Sequence, residues 1–131
     1  MANYYASCRT NYFRVKDEDA FEDAMAKIPS IRMIKEEKVF FILGDCPERS
    51  GWPSCVYDEK KNKDVEIDLP ALVSSHLADD EVAIFMEVGA EKLVDLRGYA
   101  EAINNKGERC TVNLDSIYKL ASKLGSNITC I

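Results

Sequence analysis

The chain has 131 residues, 47% of them hydrophobic and 31% charged, which fits one domain with a buried core. Acids outnumber bases 23 to 17, for a net charge of −6, and this counts against nucleic acid as a direct ligand because phosphate binding needs clustered Lys and Arg. No stretch approaches the roughly 18 apolar residues of a membrane span, and the opening MANYYASCRTNYFRVK lacks the basic-then-apolar pattern of a secretory leader.

Residues 4–16, YYASCRTNYFRVK, are rich in aromatic and β-branched types, as a strand requires. Neither parity is cleanly apolar, so a bend or a strand covered on both sides is expected. DEDAFEDAMAKIP (17–29) then reads as a helix. Asp17 can cap it, Glu18 and Asp19 suit the positive end of its dipole, and Pro29 stops it. Phe21, Ala24, Met25 and Ile28 make one buried stripe. IRMIKEE (31–37) and KVFFILG (38–44) are strands joined by a hairpin near Glu36-Glu37-Lys38.

Residues 45–55 form a loop, and 54–58 a short strand. The run 58–68, DEKKNKDVEID, reads as a solvated connection. A second helix starts at Asp68 with Pro70 early in it and ends at Asp79-Asp80; Leu69, Leu72, Val73 and Leu77 are its apolar stripe. EVAIFMEVG (81–89) is apolar on both parities, which places it at the sheet's centre. Gly89-Ala90-Glu91 turns the chain into the strand 92–104. There Val94, Leu96, Gly98, Ala100 and Ala102 alternate with Asp95, Arg97, Tyr99 and Glu101, so one face is expected to be wet. A turn at 104–107 leads to the short strand 108–112. A last helix, about 114–124, is expected to bury Leu114, Ile117, Tyr118, Ala121 and Leu124. The order β-α-β-β-(β)-α-β-β-β-α predicts a single α+β domain over 1–131, an antiparallel sheet built from hairpins with about three helices packed on it.

Five cysteines, at 8, 46, 55, 110 and 130, are odd in number and scattered, which suits a reducing compartment better than a disulfide framework. A cytoplasmic protein is expected. In GDCPERSGWPSC (44–55) the spacing of Cys46 and Cys55 matches neither a zinc knuckle nor a CxxC redox pair. The cysteines read as thiols flanking a loop, and no metal or cofactor is expected. Trp52 between Gly51 and Pro53 has two readings. One folds it back onto the core; the other makes it, with Arg49, an exposed anchor for a partner. His76, the one histidine, has Ser74 and Ser75 beside it at spacings that share no helix face, and no GxSxG elbow or phosphate-cradling glycine loop is present. No catalytic residue is assigned. Acids cluster at 17–23 and 58–81, either as solvated helix starts and turns or as a face complementary to a basic protein surface.

TNYFRVKDEDAF (10–21) and EVGAEKLVDLRGYAEAI (87–103) resemble segments of small accessory proteins of bacterial plasmids, phages and other mobile elements. In those proteins a Gly-x-Glu-Lys-Leu turn likewise precedes a Gly-Tyr-Ala strand. The resemblance carries over no catalytic residue and does not include the cysteine-bracketed loop. It implies a context in which compact inhibitors of host defence are common. The expected function is therefore a non-enzymatic protein-binding module, an anti-CRISPR-like inhibitor with an acidic surface. Its contacts would be Trp52, Arg49, Asp17, Glu18 and Asp19, and its partner a protein with a basic surface, such as a nucleic-acid-processing complex. A second reading is a small enzyme using Glu87, Asp95 and Arg97 on one sheet surface. A third is an immunity or toxin-neutralising protein. Oligomeric state is open, although the exposed strand edge at 108–112 could pair between chains.

Overall fold

The structure, a computed structural model, describes residues 4–44, 51–91 and 95–129. Their elements are β1 (Tyr4–Thr10), α1 (Glu18–Ala26), β2 (Ile31–Glu36), β3 (Val39–Gly44), β4 (Cys55–Asp58), β5 (Lys63–Glu66), α2 (Leu69–Ser74), β6 (Val82–Glu91), β7 (Asp95–Asn104), β8 (Arg109–Asn113) and α3 (Ser116–Ala121). Six strands form one antiparallel sheet in the order β2-β3-β1-β6-β7-β8, and β4-β5 form a separate hairpin. The fold is α+β, and β6 sits inside the sheet as its two apolar parities require. No helix among the described residues is long and apolar enough to cross a membrane.

The helices form for local reasons and then pack. Asp17 caps α1 by accepting the Ala20 N–H at 3.1 Å, and Asp68 caps α2 by accepting that of Ala71 at 3.3 Å. Phe21 and Met25 of α1, and Leu69 and Val73 of α2, are buried in one core with Phe40, Ile42, Ala83, Phe85 and Ile103. Those five sheet residues share one face, so both helices cover the same side. Phe21 sits edge-on to Phe13 and to Phe40, with centroids 5.7 and 5.1 Å away. Such pairs add about 0.5–1.5 kcal/mol each beyond area burial.

The bend expected in the first strand has a definite cause. Arg9 pairs with Leu43, but Phe13 pairs with Phe40. In an antiparallel pair four residues on one strand should oppose four on the other, whereas here they oppose three. One extra residue is therefore inserted after Thr10, a β-bulge. Thr10 repairs the gap. Its hydroxyl, fully buried, accepts the Ile42 N–H at 2.9 Å and donates to the Asn11 carbonyl at 2.9 Å. Asn11 extends the other edge, accepting the Ile84 N–H at 2.8 Å and donating to the Val82 carbonyl at 3.0 Å.

Several expectations are corrected. The run 58–68 is not simply a connection: β5 lies within it and folds back on β4. Asp58 accepts the N–H groups of Lys60 and Lys61, and Asn62 takes a φ of 53°, so Asx chemistry makes the turn. Residues 89–91 are not a turn but paired strand, opposite Arg97, Leu96 and Asp95. The second helix ends at Ser74 rather than at 79–80. The His76 carbonyl and the Ala78 N–H bond instead to Lys16 and Arg14, which pulls the chain out of helical geometry. Leu72 is exposed, outside that helix's buried stripe. The third helix buries no residue fully: Leu114, Ile117 and Leu124 are exposed and Tyr118 and Ala121 half-buried, although Leu114 rests over Gly98 of β7.

Replacing Thr10 by Val keeps the shape and removes the hydroxyl, leaving the buried Ile42 N–H without an acceptor. An unfolding free energy lower by about 1–3 kcal/mol is expected. Thr10→Ser, which keeps the hydroxyl, should lose clearly less. Urea melts of the three proteins check this; a Val variant as stable as the parent would show that the hydroxyl does not hold the bulge.

Candidate functional site

Strand pairing places Cys8, Glu87 and Tyr99 opposite one another across β1, β6 and β7. They form one row on the helix-covered side of the sheet. Glu87 is 8% exposed, an unusual place for a carboxylate unless it is hydrogen-bonded. Its Oε1 accepts the Trp52 backbone N–H at 3.0 Å, the Tyr99 hydroxyl at 3.4 Å and the Cys8 thiol at 3.8 Å. Gly51, with φ of 94°, lies so close that a Cβ there would meet Oε1. Only glycine combines that backbone with that approach. Glu87 is thus the peg to which the returning end of the 45–55 loop is fastened.

The row has a definite protonation. The Cys8 thiol is pushed up to about 12, first by burial and then by the Glu87 charge. The Tyr99 phenol is pushed up to about 12 by the same causes in the same order. Tyr99 as a residue is 39% exposed, yet its hydroxyl faces Glu87, and it is the hydroxyl that titrates. Near neutral pH both groups keep their protons and serve as donors, and the thiol is a poor nucleophile.

Fastening the loop places Trp52 against the core. Its ring stands edge-on to Phe85, 5.2 Å between centroids, and it is half-buried. The indole N–H is buried without an acceptor among the described residues. Trp52 and Phe85, with Pro53, Ile67, Leu69 and Pro70, form the apolar lining of an open groove of 620 Å³ between the β4-β5 hairpin, the start of α2 and strands β6–β8. Ser54, Tyr99, Glu66, Asp68, Glu101 and Arg109 complete it. Arg109 reaches from β8 to Asp68 at 2.6 Å and to Glu101 at 3.1 Å. Three carboxylates against one guanidinium leave the groove with an excess of negative charge.

The residues singled out in the sequence are not brought together. Trp52 takes the folded-back position. Arg49 and Cys46 lie outside the described residues. Asp17 is spent on the α1 cap, Glu18 bonds Lys35 of β2 at 2.8 Å, and Asp19 is exposed. That cluster flanks β2, three inter-strand steps from β6, roughly 14 Å at about 4.8 Å per step. Arg97 shares the sheet face of Glu87 by register, as the carboxylate-and-arginine reading supposes. His76 packs its ring edge-on against Phe21 at 5.7 Å. Among the described residues no three His, Cys, Asp or Glu side chains cluster as metal ligands. The groove's Asp68–Arg109–Glu101 bridge escaped the sequence reading because its members are 41 and 8 residues apart. Comparison with family models, curated proteins and solved structures finds no match to this chain.

The protonated row fixes a pH dependence. Cys8 and Tyr99 hold protons in the folded state up to about 12, whereas the ordinary values are 9.0 and 10.0. Above pH 9 the unfolded chain therefore binds fewer protons than the native one, and stability falls as pH rises from about 9 toward 12. Tyr99→Phe removes one of the two groups and should make that slope shallower. Denaturant melts at a series of alkaline pH values test this; identical slopes in parent and variant would contradict it.

Proposed function

We propose that the protein is a non-enzymatic binding module whose acidic, aromatic-floored groove receives a basic segment of a protein partner. The groove itself is the observation that carries this reading. Carboxylates of Glu66, Asp68 and Glu101 stand beside the accessible rings of Trp52 and Tyr99. A Lys or Arg side chain entering there meets negative charge and ring faces together, and both attract a cation. The neutral thiol and phenol of the Glu87 row suit a structural clamp better than a nucleophile, which favours binding over the carboxylate-enzyme alternative. Residues 10–21 and 87–103, which resemble accessory proteins of mobile elements, support a finer reading in which the partner is a nucleic-acid-processing component of host defence and the module inhibits it. An immunity or toxin-neutralising role uses the same physics with a different partner.

Trp52 is the chain's one tryptophan, so its fluorescence reports on the groove directly. Titration with a short Lys- and Arg-rich peptide should change that fluorescence saturably, with affinity falling as salt is raised. Glu66→Gln with Glu101→Gln should weaken binding roughly tenfold or more, about 1.4 kcal/mol. In host extract the same variant should lose a basic nucleic-acid-processing protein that the parent captures. Unchanged affinity in the variant, or equal binding of an acidic peptide, would reject the groove as the site.

A further inference from the structure

Taking the groove as the binding site, we propose that the basic segment it receives is extended and adds to the free edge of β8 as a further strand of the sheet. The hydrogen-bond parity of β8 is fixed from both ends. Leu114 donates its N–H to the Gly98 carbonyl at 3.0 Å, and Asn104 donates to the Glu108 carbonyl at 3.2 Å. Bonded and open pairs alternate along an antiparallel ladder. With Val112 opposite Ala100 and Cys110 opposite Ala102, Cys110 and Val112 are the β8 residues bonded to β7. Arg109, Thr111 and Asn113 therefore direct their N–H and C=O groups away from the sheet. Asn113 spends its N–H on Ser116 Oγ at 3.3 Å, which closes that end. Arg109 and Thr111 each keep a donor and an acceptor on an open edge, and every residue of β8 is exposed.

The two edges of the sheet differ in protection. β2 carries Arg32, Lys35 and Glu36, charges of the kind that keep other chains off a natural edge. β8 carries Arg109, whose guanidinium is tied inward to Asp68 and Glu101. Its pairing with β7 runs without a bulge, and it holds no proline.

The surrounding side chains define the segment that fits. A residue facing Thr111 lies on the groove side of the sheet, in line with Glu101, which stands directly across Thr111 on β7. A Lys or Arg there is about 9.6 Å from β7, two inter-strand steps, and extends over the short Thr111 side chain toward Glu101. The position facing Arg109 suits a neutral residue, because like charges directly opposite repel. Residues on either side of the cation point to the other face of the sheet, beside Cys110 and Val112. A cavity of 300 Å³ lies there, lined in part by Val82, Ala102 and Cys110, and it suits apolar side chains. The fitting pattern is apolar, cation, apolar in strict alternation. Main-chain bonds then supply affinity, and alternate side chains choose the partner.

Trp52 fluorescence of the full chain measures the affinity of a capped peptide Thr-Val-Arg-Val-Thr and of the same peptide N-methylated at its arginine. Methylation keeps the charge and removes the main-chain donor, so binding should weaken at least about tenfold. Thr111→Pro removes an outward N–H that β7 does not use, which an edge strand tolerates. It should stay folded by circular dichroism and lose affinity to a similar degree. The unmethylated peptide should slow amide exchange at Arg109 and Thr111, while Cys110 and Val112, already bonded to β7, change less. Equal affinity of the two peptides, or a Thr111 amide that stays fast when peptide is bound, overturns the edge and leaves the groove as the site. Binding of neither peptide removes the groove and the edge together. A parent dimer whose Thr111 amide is already slow without peptide puts a second copy on the edge, and also overturns the proposal.

Discussion

A carboxylate buried under a loop is the constraint on which this molecule's organisation turns. Glu87 stands on a largely apolar inner strand of the sheet, two residues from Phe85, facing the helices. Left alone there it would cost several kcal/mol. Among the donors that keep it are the thiol of Cys8, the phenol of Tyr99 and the backbone N–H of Trp52. The first two lie in its own sheet. The third comes from a loop whose last glycine must pass within touching distance of the carboxylate. Satisfying the charge and seating the loop are therefore one event. Trp52 then has one place to go, edge-on to Phe85, and its position defines the wall of the groove.

The groove is held from the far side by a different device. Arg109 joins the cap residue of α2 to β7 through Asp68 and Glu101. These groups are largely at the surface, and exposed pairs contribute little, about 0–1 kcal/mol. Their value lies in geometry: one guanidinium fixes two carboxylates whose charge is then presented to the groove. The acidic groove, α1 and α2 lie on one side of the sheet, while Leu114, which leads into α3, lies over Gly98 on the other.

Much of the fold was legible from local chemistry. Asp17 and Asp68 as caps, Phe21 and Met25 as a stripe and the hairpin at Glu37 all follow from spacing and residue type. What sequence alone could not decide was which face of a strand is covered. In β7 the parity of Leu96, Gly98, Ala100 and Ala102 looked like the core face and that of Asp95, Arg97, Tyr99 and Glu101 like the wet one. The pairing of Glu101 with Phe85, and of Tyr99 with Glu87, puts the polar parity on the helix side. Alternation reveals that two faces differ, while the path of the connections decides which one the helices cover. The apolar stripe of α3 misled in a similar way, since spacing shows that a face is apolar but not that anything lies against it. The site was less legible still. Strand periodicity marks Glu87 as a sheet carboxylate, but nothing near it in sequence announces that a loop 35 residues earlier hangs on it.

The most direct check on this account is amide hydrogen exchange at Trp52. A backbone N–H bonded to a buried carboxylate should exchange slowly, in step with neighbouring amides of β6, and Glu87→Ala should release it to the fast rate of an open loop without unfolding the sheet. If the Trp52 amide exchanges rapidly in the parent protein, Glu87 does not hold the loop, and the groove built on that contact does not exist as described.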